Sequence, residues 1–160
     1  MERLNLPEYA FRTKTEGGKQ LIFDSIRKKF VVLTPEEWVR QNFIQYLIQE
    51  KKYPENLMAV EKQIRVNGKQ RRFDLLIYLK NGQPLLIAEF KAPNVKITQD
   101  TFDQVVRYNM ALRVERVVVS NGLQHFACEV DYPNNSYTYL HGIPGYCERC
   151  RIDFEGQGFS

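Results

Sequence analysis

A chain of 160 residues is long enough for one domain with a proper core, and 43% hydrophobic with 26% charged residues is an ordinary globular composition that excludes wholesale disorder. No apolar run approaches the ~20 residues of a membrane span. The opening MERLNLPEYAFRTK lacks the apolar centre of a secretion signal, so a cytoplasmic protein without membrane contact is expected. A net charge of +4 permits contact with nucleic acid without establishing it.

Residues 1–18 are polar and end in Gly17-Gly18, which reads as a flexible N-terminal arm; residues 19–160 read as a single domain. KQLIFDSIRKKFVVL reads as two short strands joined by a basic turn, an N-terminal hairpin. TPEEWVRQNFIQYLIQEKKY opens a helix, with Thr34 as N-cap, Pro35 in the first helical position and Glu37 completing a capping box. Val39, Phe43, Ile44, Tyr46 and Leu47 recur at helical spacing, and Gln41, Asn42, Gln45 and Gln49 fall on the opposite, polar side.

LMAVEKQIRV, RRFDLLIYL and PLLIAEFK then form a meander of three strands, punctuated by the hairpin dipeptides Asn67-Gly68 and Asn81-Gly82. A second helix spans roughly 98–112, ERVVVSNG is a strand, and QHFACEV with SYTYL forms a last hairpin. The runs 75–79 and 85–88 are apolar on both faces, which marks central strands covered from both sides. The result is an α/β sandwich around a mixed sheet.

Two basic clusters, Arg27, Lys28, Lys29 and Lys69, Arg71, Arg72, read either as solvated turns or as phosphate contacts. Cys147 and Cys150 form a CxxC near His141, and Cys128 completes a conceivable zinc set. The second half lacks the paired spacing of such sites, so ordinary reduced thiols are expected. His125 and His141 have no partner pattern.

The chemistry concentrates in the meander. Side chains alternate along a strand, so Glu89 and Lys91 share a face with Ile87 while Phe90 points away. A two-residue Asn81-Gly82 turn pairs Lys80 with Gln83 and, counting back, sets Asp74 opposite Glu89. Two carboxylates that close raise each other's pKa unless a cation lies between them. Hard oxygen ligands suit Mg²⁺. Lys91, on the same face, could orient water or stabilise charge on a phosphate. The plain structural alternative is a buried ion pair beside a second acid. Glu61 alternates with Gln63 and Arg65 and reads as part of a solvated strand face.

Asp74, a gap of fourteen residues, then Glu89-Phe90-Lys91 resembles the PD-(D/E)xK nuclease motif, with FD in place of PD. TPEEWVRQ before it, and FDQVVRYN (a QxxxY element) and VVVSNG after it, make the set similar to the N-terminal nuclease domain of type I restriction endonuclease motor subunits. The resemblance covers roughly residues 20–125. It implies a restriction-endonuclease-like sandwich: a central mixed four-stranded sheet flanked by helices, with the N-terminal hairpin as an addition. It also implies cleavage of DNA phosphodiesters with Mg²⁺ or Mn²⁺, Asp74 and Glu89 as metal ligands and Lys91 as the catalytic lysine.

The family also places a glutamate on the first helix. At about 100° per residue, Glu36 lies within roughly 20° of Phe43 and of Leu47, whereas Glu37 lies roughly 120° from Phe43. Glu36 is therefore the better third metal-site candidate, against the plain reading that both acids favour a helix N-terminus. Gln104 and Tyr108 share a helix face. The resemblance puts Gln104 beside the metal site, and Gln104, Tyr108, Arg40 and Arg72 are expected to support the site or contact nucleic acid.

EGGKQ is not a phosphate-binding P-loop. The expectation is therefore a free-standing nuclease domain without the helicase engine, with DNA as partner and a separate motor or specificity protein as a further candidate. Two competing readings are a non-catalytic nucleic-acid- or partner-binding module on the same fold, and an assembly subunit.

Overall fold

Nine strands and two helices are laid down in chain order in the computed structural model, which describes residues 1–146. Strands β1 (Thr13–Glu16), β2 (Lys19–Asp24) and β3 (Lys29–Val32) form an antiparallel three-stranded sheet. Helix α1 (Pro35–Gln49) follows, then β4 (Met58–Val66), β5 (Lys69–Tyr78) and β6 (Pro84–Phe90). Helix α2 (Gln99–Met110) crosses over to β7 (Arg116–Ser120), which lies parallel to β6. Strands β8 (His125–Asp131) and β9 (Ser136–Tyr139) complete a six-stranded sheet in the order β4 to β9. The chain is thus mixed α/β, but the sheet has six strands rather than the expected four. The last hairpin pairs onto β7, whose backbone would otherwise form an open edge. The CxxC of Cys147 and Cys150 lies outside the described residues. Among the described residues no helix is long and apolar enough to cross a membrane.

The two helices cover opposite faces of this sheet. Val39, Phe43, Ile44 and Leu47 of α1 pack with Leu75, Ile77, Leu86, Ala88 and Phe90. Phe102 and Val106 of α2 pack with Leu76, Ile87, Val117 and Val119. Alternate residues of β5 and β6 thus feed two cores, which is why both strands read as continuous apolar runs.

Helix α1 starts as predicted, with the Thr34 hydroxyl accepting from the Glu37 N–H at 3.0 Å. The capping box is not closed: the Thr34 N–H donates to Val32, and the Glu37 carboxylate turns inward instead. Gln41 and Asn42, expected on a polar outer side, are also buried, because α1 is covered on that side too. The covering layer is the N-terminal segment. Residues 1–18, expected as a loose arm, contain β1 and a docked stretch ahead of it. Leu4 is buried, the Asn5 N–H donates to Gly122 O at 2.8 Å, and the Trp38 indole donates to Glu2 O at 2.9 Å. His125 closes this contact, with one ring nitrogen on Asn5 O and the other on the Ser120 hydroxyl.

Candidate functional site

The register of β5 and β6 decides whether the two acids meet. The turn between them is not the two-residue turn that Asn81-Gly82 suggests. The Leu79 N–H donates to Gln83 O and the Gly82 N–H to Leu79 O, so the loop comprises Lys80, Asn81 and Gly82. A bulge at Leu85, between the pairs Tyr78↔Pro84 and Ile77↔Leu86, then restores the count. From there the ladder runs to Leu75↔Ala88, and the next position sets Asp74 opposite Glu89.

Asp74 sits where β6 ends and is held on both oxygens. One accepts from the Phe90 N–H at 2.8 Å and the other from Arg40 Nη2 at 3.1 Å. Glu89 is hydrogen-bonded to Asp74, and its carboxyl is pushed up to about 9, first by burial and then by the charge of Asp74; Lys91 and Arg40 oppose the shift. Lys91 follows at the strand end, its backbone N–H donating to Ser120 O at 2.9 Å. Glu36 stands half-exposed on the first turn of α1. Its carboxyl is raised by partial burial and by Asp74, which places it in the field of the pair.

Glu89 and Lys91 lie on the floor of an open cleft of about 350 Å³ between β5 and α2, with Arg71, Arg72, Gln104 and Tyr108 on its walls. The Arg71 guanidinium stacks on the exposed Tyr108 ring, 4.5 Å from its centroid. The structure thus brings Glu89, Lys91, Gln104, Tyr108 and Arg72 around one cleft, with Asp74, Glu36 and Arg40 beside it. Arg40 is only 3% exposed, so it is placed to hold Asp74 rather than to meet a ligand.

A buried ion network behind Asp74 was not legible in the sequence. Arg40 bonds Glu37 at 2.5 Å, and Glu37 in turn accepts from Arg27 at 2.6 Å and from Gln41 at 2.8 Å. Arg27 also bonds the fully buried Asp24 at 2.5 Å and Glu61 at 3.0 Å. Glu61 therefore does not belong to a solvated strand face. Its φ of +51° interrupts the β4–β5 ladder between the pairs Val60↔Leu75 and Lys62↔Phe73 and leaves it within 3.5 Å of Arg40 and 3.9 Å of Arg72. Such a conformation costs of order 1–3 kcal/mol in a non-glycine residue and persists only where surroundings impose it. The nearest sequence signal was Arg27 in the basic turn, which lies on the three-stranded sheet and far from the motif in sequence.

Among the described residues no three His, Cys, Asp or Glu side chains converge as a ready-made metal cage. The pair Asp74 and Glu89 nevertheless fits a hard divalent cation. Both donors are carboxylates, and a cation would take the place of the proton that Glu89 shares with Asp74, leaving each Asp74 oxygen a lone pair beside its bond to Phe90 or Arg40.

Residues 35–144 match the family described as Type I restriction enzyme R protein N terminus (HSDR_N). No match is found among curated proteins. Among solved structures, the chain is similar to a fragment of an HsdR subunit assigned to a type I restriction enzyme of Vibrio vulnificus YJ016. The identity is 22% and the TM-score 0.51, over 71% of this chain and 24% of that one. That likeness concerns the fold, and the chain spans about a quarter of the length of the solved fragment. With the family match spanning 110 of its 160 residues, this chain belongs to the family of type I restriction enzyme R protein N-termini.

Proposed function

We propose that the domain, a restriction-endonuclease-like fold, hydrolyses phosphodiester bonds in DNA with Mg²⁺ or Mn²⁺. The observation that carries this reading is the carboxyl pair Asp74 and Glu89, with Lys91 beside it on the floor of an open cleft. Asp74 and Glu89 would hold the cation, with Glu36 near enough to contribute through water. When bound, the cation supplies Lewis-acid charge at a phosphoryl oxygen. Lys91 has a different task. Its ammonium lies in the electrostatic range of Glu89 and Glu36 and lines the cleft, where it would stabilise charge on a phosphate or orient the attacking water. Gln104, Tyr108 and Arg72 wall the cleft and would position the nucleic-acid backbone. Arg40 and the Phe90 N–H keep Asp74 in one orientation. A type I restriction system, with a separate motor or specificity protein as partner, is the setting that the family suggests.

A second reading is a binding module on the same fold. It is favoured by the Arg40 guanidinium, which already neutralises Asp74 without any metal. Cleavage of linear, circular and single-stranded DNA with Mg²⁺ or Mn²⁺ separates the two. Metal-dependent cutting abolished by Asp74→Ala and by Lys91→Ala is expected of the nuclease. Binding in a gel shift without any cutting by the wild type would leave the binding module.

A further inference from the structure

The β4–β5 hairpin is longer than the sheet needs. Strand β5 pairs with β6 only from Leu75 onward, yet β4 and β5 stay paired as far as Val66↔Lys69. At about 3.3 Å per residue, a two-stranded ribbon of roughly 15 Å runs past the carboxyl pair. Phe73 and Ile64 root it in the core beneath α2. Beyond them the ribbon is largely exposed.

Its composition is one-sided in charge. Residues 62–72 contain Lys62, Arg65, Lys69, Arg71 and Arg72 and no acid. The register divides these between two faces. Lys62, Arg71 and Lys69 share the face of Phe73, while Arg65 and Arg72 lie on the other with Gln63 and Gln70. A single phosphate backbone can meet only one face of a ribbon. Cations on both faces are satisfied together when the ribbon lies between two backbones, and a major groove about 12 Å wide admits a two-stranded ribbon. Residues 62–72 also lack any aromatic side chain, the platform on which single-stranded bases stack.

We infer that the β4–β5 ribbon is a groove-inserting arm that selects double-stranded nucleic acid and lays it across the cleft, with Arg65 and Lys69 reaching the two backbones at its tip. This rests on nucleic acid being the substrate class of the same site. The arm lies outside the carboxyl pair, so its role is docking and choice of substrate form.

The test measures binding of a 30-base-pair duplex and of a single strand of the same length, by fluorescence anisotropy over a series of salt concentrations. Wild type is compared with Arg65→Gln/Lys69→Gln and with a control, Lys19→Gln/Lys29→Gln, on the exposed three-stranded sheet. The arm variant should bind the duplex on the order of tenfold more weakly, with a salt slope shallower by about two. Single-strand binding, and hydrolysis of a p-nitrophenyl phosphodiester of thymidine, should match wild type. An unchanged duplex slope would overturn the inference, as would equal weakening on the single strand, an equal effect from the control, or no duplex binding by wild type. Arm-dependent duplex binding with no hydrolysis of the thymidine phosphodiester or of the duplex in Mg²⁺ or Mn²⁺ would sustain the arm while removing the nuclease reading.

Discussion

Burial beside Asp74 raises the Glu89 carboxyl from an ordinary 4.5 to about 9. The folded protein therefore holds a proton that the unfolded chain gives up near pH 4.5. This stability is fully present below pH 4.5 and is lost as the pH rises through about 9. Glu89→Gln should flatten that decline and stabilise the metal-free protein at pH 8 by at least about 1 kcal/mol, read as a higher denaturation midpoint with chelator present. Added Mg²⁺ should stabilise wild type and not the variant. Arg40 poses the opposite case. It is buried among Glu37, Asp74 and Glu61, so Arg40→Met leaves Asp74 without its paired cation, Glu37 with Arg27 alone, and Glu61 with Arg27 and Arg72. A loss of about 3–5 kcal/mol in urea unfolding is expected. At this scale Asp74, Glu89 and Lys91 were legible because strand alternation is strict. Arg40 was nameable but its burial was not, since that depends on acids contributed by two other segments, Glu61 of β4 and Asp74 of β5.

The elements show where local signals suffice and where they do not. The Thr34 cap, the start of α1 and the polar-apolar division of α2 follow from local chemistry, and the structure has them. The all-round burial of α1 does not follow from its own pattern. Gln41 and Asn42 are polar, and they are inside because Asp24, Glu37 and the Trp38 carbonyl accept their amides. The β5–β6 pairing is instructive in another way. A longer loop and a compensating bulge cancel, so a simple turn count reached the correct partner by a route the chain does not take. The β7–β8 turn carries its own constraint. Gly122 has φ +84°, and an added Cβ would lie 2.6 Å from Leu4 Cδ2. Gly122→Ala should cost about 1–3 kcal/mol and speed hydrogen exchange at the Asn5 amide, whose acceptor is the Gly122 carbonyl.

In the whole molecule, the three-stranded sheet and the N-terminal segment are tied to the larger sheet through α1 and directly, by Arg27 on Glu61 and by Asn5 on Gly122 and His125. Asp24 and Arg27 bond Gln41 and Glu37, and Trp38 packs edge-on against Phe11 at 5.5 Å. The layers should therefore unfold together. Far-UV circular dichroism and the fluorescence of Trp38, the one tryptophan of the chain, are expected to give coincident denaturation curves. An earlier fluorescence transition would mean that the N-terminal layer separates first.

The amino-acid sequence by itself determined the element types from β2 onward, the central meander, the placing of Asp74 opposite Glu89 with Lys91 on the same strand, and the family whose motif these residues resemble. Each is set by short-range periodicity or by spacing along one hairpin, where a strand's two-residue repeat leaves little choice of face. Only the tertiary structure decided the six-stranded sheet, the docked N-terminal segment, and the network that runs from Asp24 through Arg27, Glu37 and Arg40 to Asp74. Those features join residues far apart in sequence. The i,i+3 pairs Asp24–Arg27 and Glu37–Arg40 are local, but the links Arg27–Glu37 and Arg40–Asp74 join separate segments, and no local pattern records those partners.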